Sequence, residues 1–363
     1  MRYLYHLSDT LDFRLDPAPS SLQSEGFVHL SSVHQVLPTA ERWFAHCDTL
    51  KLVVLREELL SDRLKWEDSY GRGEAFPHYY GALPLEAVET VTLLKRQNGA
   101  FSWPETIQGL LSPLIRCVPN RETALIEPSH RFAGAGIPEY CLLGCFPHLC
   151  DRVAAKRPHE VREGVGSAIG AQKIYLFEDL VLCFPGVGGP VAAAALEELI
   201  ALGCRKFLLC GGAGSLAAHQ PLGSLLLVNE AWRDEGLSHH YLPPSNTLKV
   251  SPEYLARLES GLQDLGVSVK TGTTWTTDAL YRETPSRVHR RRLDGCLTVE
   301  MEVASLLAVA EFRSVEFGAL LYCGDDLSGE QWDFRNWTDE NSTQEKMLEL
   351  GIELLKRLRA SKP

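Results

Sequence analysis

Residues 181–215 read VLCFPGVGGPVAAAALEELIALGCRKFLLCGGAGS, and their order decides the fold. An apolar run at 181–184 ends in Pro185-Gly186-Val187-Gly188-Gly189-Pro190. A helical segment follows to Gly203, and a second apolar run at 207–210 ends in Gly211-Gly212-Ala213-Gly214-Ser215. Strand, glycine turn, helix, strand, glycine turn is the layout of an α/β sheet, whose ligands gather at the carboxyl ends of its strands. Glycines at those ends let backbone amides approach an anion or a sugar, which makes Gly188, Gly211, Gly212 and Ala213 candidate ligand contacts. The first stretch lacks the GxGxxG spacing, the second opens no helix with an acidic partner downstream, and a Walker lysine is missing. The loops therefore suit a small ligand better than a dinucleotide or a triphosphate.

Downstream, residues 298–307 read TVEMEVASLL and set Glu300 and Glu302 on either side of Met301, at the mouth of an apolar helical run. Acidic residues at a helix start are favoured by its dipole. A carboxylate with two acceptor oxygens also suits a vicinal diol such as the 2′ and 3′ hydroxyls of a ribose, with the Met301 thioether against the sugar face. Residues 272–284, GTTWTTDALYRET, combine Trp275 and Tyr281 with polar groups including Asp278. The two rings read either as a stacking pair for a heterocyclic base or as core aromatics beside a turn. Residues 317–322 form a last buried strand that ends in Cys323-Gly324-Asp325-Asp326. A carboxyl there is placed to have a raised pKa and act as a general acid, or to cap the next turn.

The 363 residues are enough for two cores, and 45% apolar with 23% charged residues is ordinary for a globular chain. A formal charge of −11 argues against a nucleic-acid partner, and the basic run Arg290-Arg291-Arg292 reads as a solvated helix face. No apolar run approaches bilayer length, and MRYLYHLSDT lacks the layout of a signal peptide, so a cytoplasmic location without membrane contact is expected. Ten cysteines without a CxxC pair fit free thiols. Cys141, Cys145, His148 and Cys150 match no zinc spacing and read as core packing, so no metal is expected.

Residues 1–104 read as a small α+β unit, with strands at 50–55 and 87–94 and helical spacing over 32–43. Pro104, Gly109 and Pro113 mark a domain boundary within 104–117. The spots Tyr5-His6-Leu7-Ser8, Glu25 to Ser31 with His29, Trp66-Glu67 and Phe76 to Gly81 with His78 together resemble domain of unknown function family 952. The resemblance covers 1–104 and implies a divergent relative of the ADP-ribosyltransferase fold. By that analogy His6, His29, Glu67 and His78 line a shared cleft.

The motifs at Gly186-Val187-Gly188, Gly211 to Ser215, Trp275 to Thr284, Val299-Glu300-Met301-Glu302 and Gly324-Asp325 stand in one order. In that order they resemble the purine nucleoside phosphorylase and uridine phosphorylase superfamily, over about 115–360. The resemblance implies a three-layer α/β fold around a mixed sheet, cleavage of an N-ribosidic bond, a small-molecule nucleoside substrate and assembly into homo-oligomers. It implies that Glu302 binds the ribose hydroxyls with Met301 against the sugar and Glu300 in support, and that Asp325 protonates the leaving base. Leu280 and Tyr281 fall where the family places base-contacting aromatics, one of them aliphatic here.

Phosphorylases of the family place an arginine just before the second glycine stretch and a serine or threonine within it, whereas this chain has Leu209 and Gly212. Arg131, in Glu127-Pro128-Ser129-His130-Arg131, matches the family's first phosphate arginine. A phosphate dianion with one arginine is poorly compensated, which favours water as acceptor, inorganic phosphate remaining the alternative co-substrate, with no other cofactor. Glu127, after an expected strand at 124–126, is the candidate base for that water. Two other readings stay open: a nucleoside-sensing protein without turnover, and an N-terminal ADP-ribose or NAD enzyme with an accessory ribosidase-fold domain.

Overall fold

The computed structural model describes residues 3–11, 16–68, 74–97, 99–104, 107, 123–132, 136–167, 170–218, 220–243, 245–337 and 341–361. The chain divides into two compact units, Met1–Val118 and Pro119–Pro363. Of the boundary segment 104–117, only Pro104 and Ile107 are among the described residues.

In the first unit, β1 (Tyr3–Ser8), β3 (Thr49–Arg56), β6 (Val88–Gln97) and β7 (Ala100–Ser102) form an antiparallel sheet in the order β1-β3-β6-β7. Three shorter strands, β2 (Val28–His29), β5 (Phe76–Tyr79) and β4 (Leu64–Glu67), form a second sheet in that order. The strands expected at 50–55 and 87–94 are β3 and β6. The helical spacing over 32–43 is the helix Val33–Trp43, opened by a capping box in which Ser32 N donates to Gln35 Oε1 at 2.9 Å.

The second unit is a mixed sheet of ten strands among the described residues. They are β8 (Tyr140–Gly144), β9 (Glu160–Ser167), β10 (Gly170–Leu176), β11 (Val181–Cys183), β12 (Lys206–Ser215), β13 (Leu225–Asp234), β14 (Thr247–Lys249), β15 (Lys270–Thr277), β16 (Cys296–Glu300) and β17 (Glu316–Asp326). β12 runs parallel to β8 and β17 and antiparallel to β16, while β13 runs parallel to β15 and antiparallel to β17. With β15 parallel to β16, strands β12, β17, β13, β15 and β16 close a ring. Phe207, Leu208, Leu209 and Cys210 are all buried, as expected for a strand covered on both faces.

Helices Gly189–Leu202 and Val303–Arg313 pack into the core on one face of the sheet, and Pro147–Ala154, Pro252–Asp264 and Asn341–Ala360 into the core on the other. Three layers result. No described helix is long and apolar enough to cross a membrane. Cys141 and Cys150 are free thiols packed in these cores, and no group of three or more His, Cys, Asp or Glu among the described residues is arranged to hold a metal.

Two local expectations are corrected. Gly211 to Ser215 do not form a turn but continue β12, pairing with β17 on one side and, at Gly214 and Ser215, with β16 on the other. Residues 124–126 are not a strand: Leu125 and Ile126 are exposed, and the following Pro128 stands just before the short helix Ser129–Phe132.

Candidate active site

The carboxyl ends of β15 and β16 meet at Thr276 and Glu300, the turn after β16 meets the loop after β11, and acidic side chains collect there and at the carboxyl end of β17. Glu300, the last residue of β16, lies in register with Thr276 of β15. Its Oε1 accepts from Thr276 Oγ1 at 2.5 Å, and its Oε2 accepts from the amides of Glu302 at 2.6 Å and Val303 at 2.8 Å. Glu300 thus satisfies amides that the start of the helix Val303–Arg313 leaves without intrahelical partners. Burial, and then the neighbouring Glu302, push its carboxyl up to about 8.

Glu302 is the N-cap residue of that helix and turns the other way. Its Oε1 accepts from Gly188 N at 2.6 Å and its Oε2 from Met301 N at 3.3 Å. Burial raises its pKa while the two amides oppose the shift. Gly188 is held at φ 85°, a conformation that side chains rarely adopt, and that geometry points its amide at the carboxylate. At Gly189 a Cβ would lie 2.3 Å from Ser305 Oγ, so only glycine lets the loop close onto the helix.

Beneath this contact runs a buried polar network. Ser305 Oγ donates to Glu235 Oε2 at 2.7 Å, Ser238 N donates to the same oxygen at 3.0 Å, and Ser238 Oγ bonds Glu235 Oε1. Arg233 Nε donates to Ser238 Oγ at 2.8 Å, and its other nitrogens donate to Pro243 O, Ser245 Oγ and Leu242 O. Burial lowers the Arg233 pKa to about 10. Neither Arg233 nor Glu235 was expected at the site. Their signal is a charged triplet, Arg233-Asp234-Glu235, directly after an apolar strand.

Asp278 Oδ2 accepts from Gly236 N at 2.8 Å, and burial raises its pKa. Trp275 is corrected as a base-stacking ring. It is fully buried, and its Nε1 donates to Asp234 Oδ2 at 3.0 Å. The same oxygen accepts from Arg287 at 2.6 Å and Arg291 at 3.4 Å, so Arg291 is a structural partner and not part of a solvated face. Tyr281 is 95% exposed and Leu280 half-exposed. Glu283, also unexpected, is pushed up to about 7 by burial and then by Asp325.

Asp325 Oδ2 accepts from Trp332 Nε1 at 2.7 Å, and burial is the largest influence raising its pKa. The indole of Trp337 lies against Gly212 and Gly324: a Cβ at those positions would come within 3.1 Å and 2.9 Å of it. A Cβ at Gly211 would meet Cys145 at 3.3 Å, and Ala213 is buried beside it.

Glu127 is corrected as the base for water. Its carboxylate accepts from Ala124 N at 3.0 Å and from Arg313 at 3.0 Å, and Arg313 is the last residue of the helix whose N-cap is Glu302, so Glu127 stands at the opposite end of that helix from the ribose subsite. Arg131 lies in the helix Ser129–Phe132, and its side chain is outside the described residues.

In the first unit the four expected residues come together. His6 Nδ1 donates to His29 O at 3.0 Å, and His29 Nε2 lies 3.2 Å from Glu25. His29 and His78 are register partners on β2 and β5 with rings 5.2 Å apart. His78 Nδ1 lies 3.4 Å from Glu67 Oε2, which accepts from Tyr80 OH at 2.6 Å, and Phe27 stacks on His78 at 4.1 Å.

Family models match both regions. Residues 139–358 match the phosphorylase superfamily and residues 9–91 match a protein of unknown function, DUF952. Over 144 residues the chain is 33% identical to a guanosine phosphorylase of Halorubrum lacusprofundi, covering 39% of this chain and 59% of that protein. It is 24% identical over 193 residues to the Escherichia coli uridine phosphorylase, covering 49% of this chain and 76% of the relative. The solved structure of an AMP nucleosidase from Bacteroides thetaiotaomicron superposes with a TM-score of 0.52 at 26% identity, over 62% of this chain and 90% of that one.

Proposed function

Because the chain belongs to the phosphorylase superfamily, we propose that its larger unit cleaves the N-ribosidic bond of a nucleoside or nucleoside-like metabolite, with water as the acceptor. The activities named for the relatives, guanosine and uridine phosphorylases and an AMP nucleosidase, favour turnover over sensing. They leave both acceptors within the family's range.

The observation that carries the choice of water is the packing around β12. Leu209 is buried in the core, and a side chain at Gly212 would press on the Trp337 indole, whose nearest atom would lie 3.1 Å from its Cβ. Neither of the two positions expected to bind phosphate carries a side-chain donor. A dianion there would be desolvated without compensating donors.

In ribosidic cleavage the sugar gains oxocarbenium character and the base leaves with a proton. Glu302, fixed by the amides of Gly188 and Met301, keeps acceptor capacity on each oxygen for the ribose hydroxyls and stabilises the developing positive charge. Met301 packs against the sugar, and Asp325, whose burial favours its neutral form, delivers the proton to the base. Gly188 and Glu300 hold Glu302 in place, and Asp278 and the exposed Tyr281 are further substrate contacts. Homo-oligomeric assembly is part of the same proposal.

For the first unit we propose that His6, His29, Glu67 and His78 form a ligand-facing cluster related to ADP-ribose chemistry, supported by their convergence on β1, β2, β4 and β5. Calorimetry with ADP-ribose on the wild type and on His29→Ala checks it, and equal heats for both proteins would count against it.

The function is tested by incubating the full chain with guanosine, adenosine, uridine and AMP and identifying products by mass spectrometry. Free base is expected from at least one, with loss of release in Glu302→Ala and Asp325→Asn. Wild-type rates in both variants would overturn the site.

A further inference from the structure

With Trp275 buried, the aromatic side chain that meets the proposed proton donor comes from a different segment. After β17 the chain makes a loop over 327–332 that is closed by a backbone bridge: Asp326 N donates to Asp333 O at 2.8 Å and Asp333 N to Asp326 O at 2.9 Å. Arg335 fastens the stem, pairing with the Asp326 carboxylate and donating through Nη1 to Gln220 O at 2.8 Å. Trp332 stands at the end of this loop. It is 64% exposed, its ring meets Phe334 edge-on at 5.4 Å, and its indole N–H is committed to Asp325 Oδ2 at 2.7 Å. The other carboxyl oxygen, Oδ1, faces Gly214, where a Cβ would lie 3.3 Å away, so the missing side chain leaves Oδ1 its space.

We propose that Trp332 is a positioning residue for proton delivery: its N–H holds Asp325 Oδ2, the proton of the neutral carboxyl sits on Oδ1, and its exposed ring flanks the base. The proposal rests on the reading of Asp325 as proton donor. An oxygen that accepts an N–H is the poorer site for a proton, which assigns the hydroxyl to Oδ1. As the C1′–N bond breaks, its electron pair goes to the base, the Oδ1–H bond breaks and an N–H bond forms on the base. Asp325 is left as a carboxylate, and the Trp332 N–H stabilises that charge as it develops; water bonds to C1′, and the proton it loses returns Asp325 to its neutral form.

The charged groups that face Asp325 are Asp326 and Arg335 from its own strand and loop and Glu283 from the segment after Leu280–Arg282. Burial and then Asp326 favour the protonated form, whereas Trp332, the backbone amide of Asp325 itself and Arg335 favour the ionised one. Removing the N–H therefore keeps Asp325 protonated to higher pH.

The test uses whichever of guanosine, adenosine, uridine and AMP releases base fastest, and the full chain as wild type, Trp332→Phe, Trp332→Ala and Asp325→Asn, with kcat and KM measured across pH. Trp332→Phe keeps a ring and loses the donor. It should move the alkaline limb of kcat upward by about one pH unit, with KM within about twofold of wild type. Trp332→Ala should show the same move and a KM raised about 3- to 10-fold, because the ring is gone as well. A wild-type alkaline limb in Trp332→Phe together with an inactive Asp325→Asn would overturn the positioning role while leaving the proton donor in place. Wild-type turnover in Asp325→Asn, or no base release by the wild type from any of guanosine, adenosine, uridine and AMP, would remove both.

Discussion

The two glycine stretches of the larger unit have similar composition and opposite physical reasons for it. In Pro185 to Pro190 the need is torsional: Gly186 and Gly188 sit at φ 91° and 85°, and the Gly188 amide reaches Glu302. In Gly211 to Gly214 the need is space. These residues lie within a paired strand, and a Cβ at Gly211, Gly212 or Gly214 would meet Cys145, Trp337 or Leu327 respectively. The lesson is that a glycine-rich motif opens a ligand cradle only where its amides are turned outward. Where the glycines make room for neighbouring side chains, the motif closes a core.

The comparison breaks first at Glu302, the group on which the outward-turned amide converges. Glu302→Ala should lower kcat/KM by about 10²- to 10³-fold, measured as base release from the best substrate, if the first stretch builds the ribose subsite. Gly188→Ala is next. The left-handed backbone should cost about 1–2 kcal/mol in thermal or denaturant unfolding and about tenfold in kcat/KM, because the amide no longer meets the carboxylate.

The second stretch answers differently. Gly212→Ser should destabilise the fold by about 1–3 kcal/mol through collision with Trp337 and should bring no dependence on phosphate. Combining it with Trp337→Ala should recover part of that loss, read as a non-additive shift in the unfolding midpoint.

The smallest effect is on pH. The folded pKa of Glu300, about 8, lies above its ordinary 4.5, so its contribution to stability is fully present below about 4.5 and is lost as pH rises through 8. Glu300→Gln should flatten the fall of the melting temperature across that window.

Much of the architecture was legible because it rests on local pattern. The buried run at 207–210, the alanine-rich helix between Pro190 and Gly203, and two carboxylates beside Met301 are visible in the chain itself. The unread parts depend on what lies across the fold. Gly211 to Ser215 look like a turn until Trp337, more than a hundred residues later, is seen against Gly212. Trp275 looks available for a base, but Asp234 and two arginines of the helix Pro285–Leu293 claim it. Glu127 looks like a free acid until Arg313 is brought to it. Trp332 carries no motif, and only the bridge between Asp326 and Asp333 turns it back onto Asp325.

The most direct test of a closed second stretch is the product formed with and without phosphate. Purified protein is incubated with guanosine in phosphate-free buffer and in buffer with millimolar phosphate, and the sugar product is identified by mass spectrometry. Free ribose at the same rate in both buffers is the predicted result. Ribose 1-phosphate formed only when phosphate is present would contradict it, and would mean that an anion site exists beside Gly212 despite Trp337.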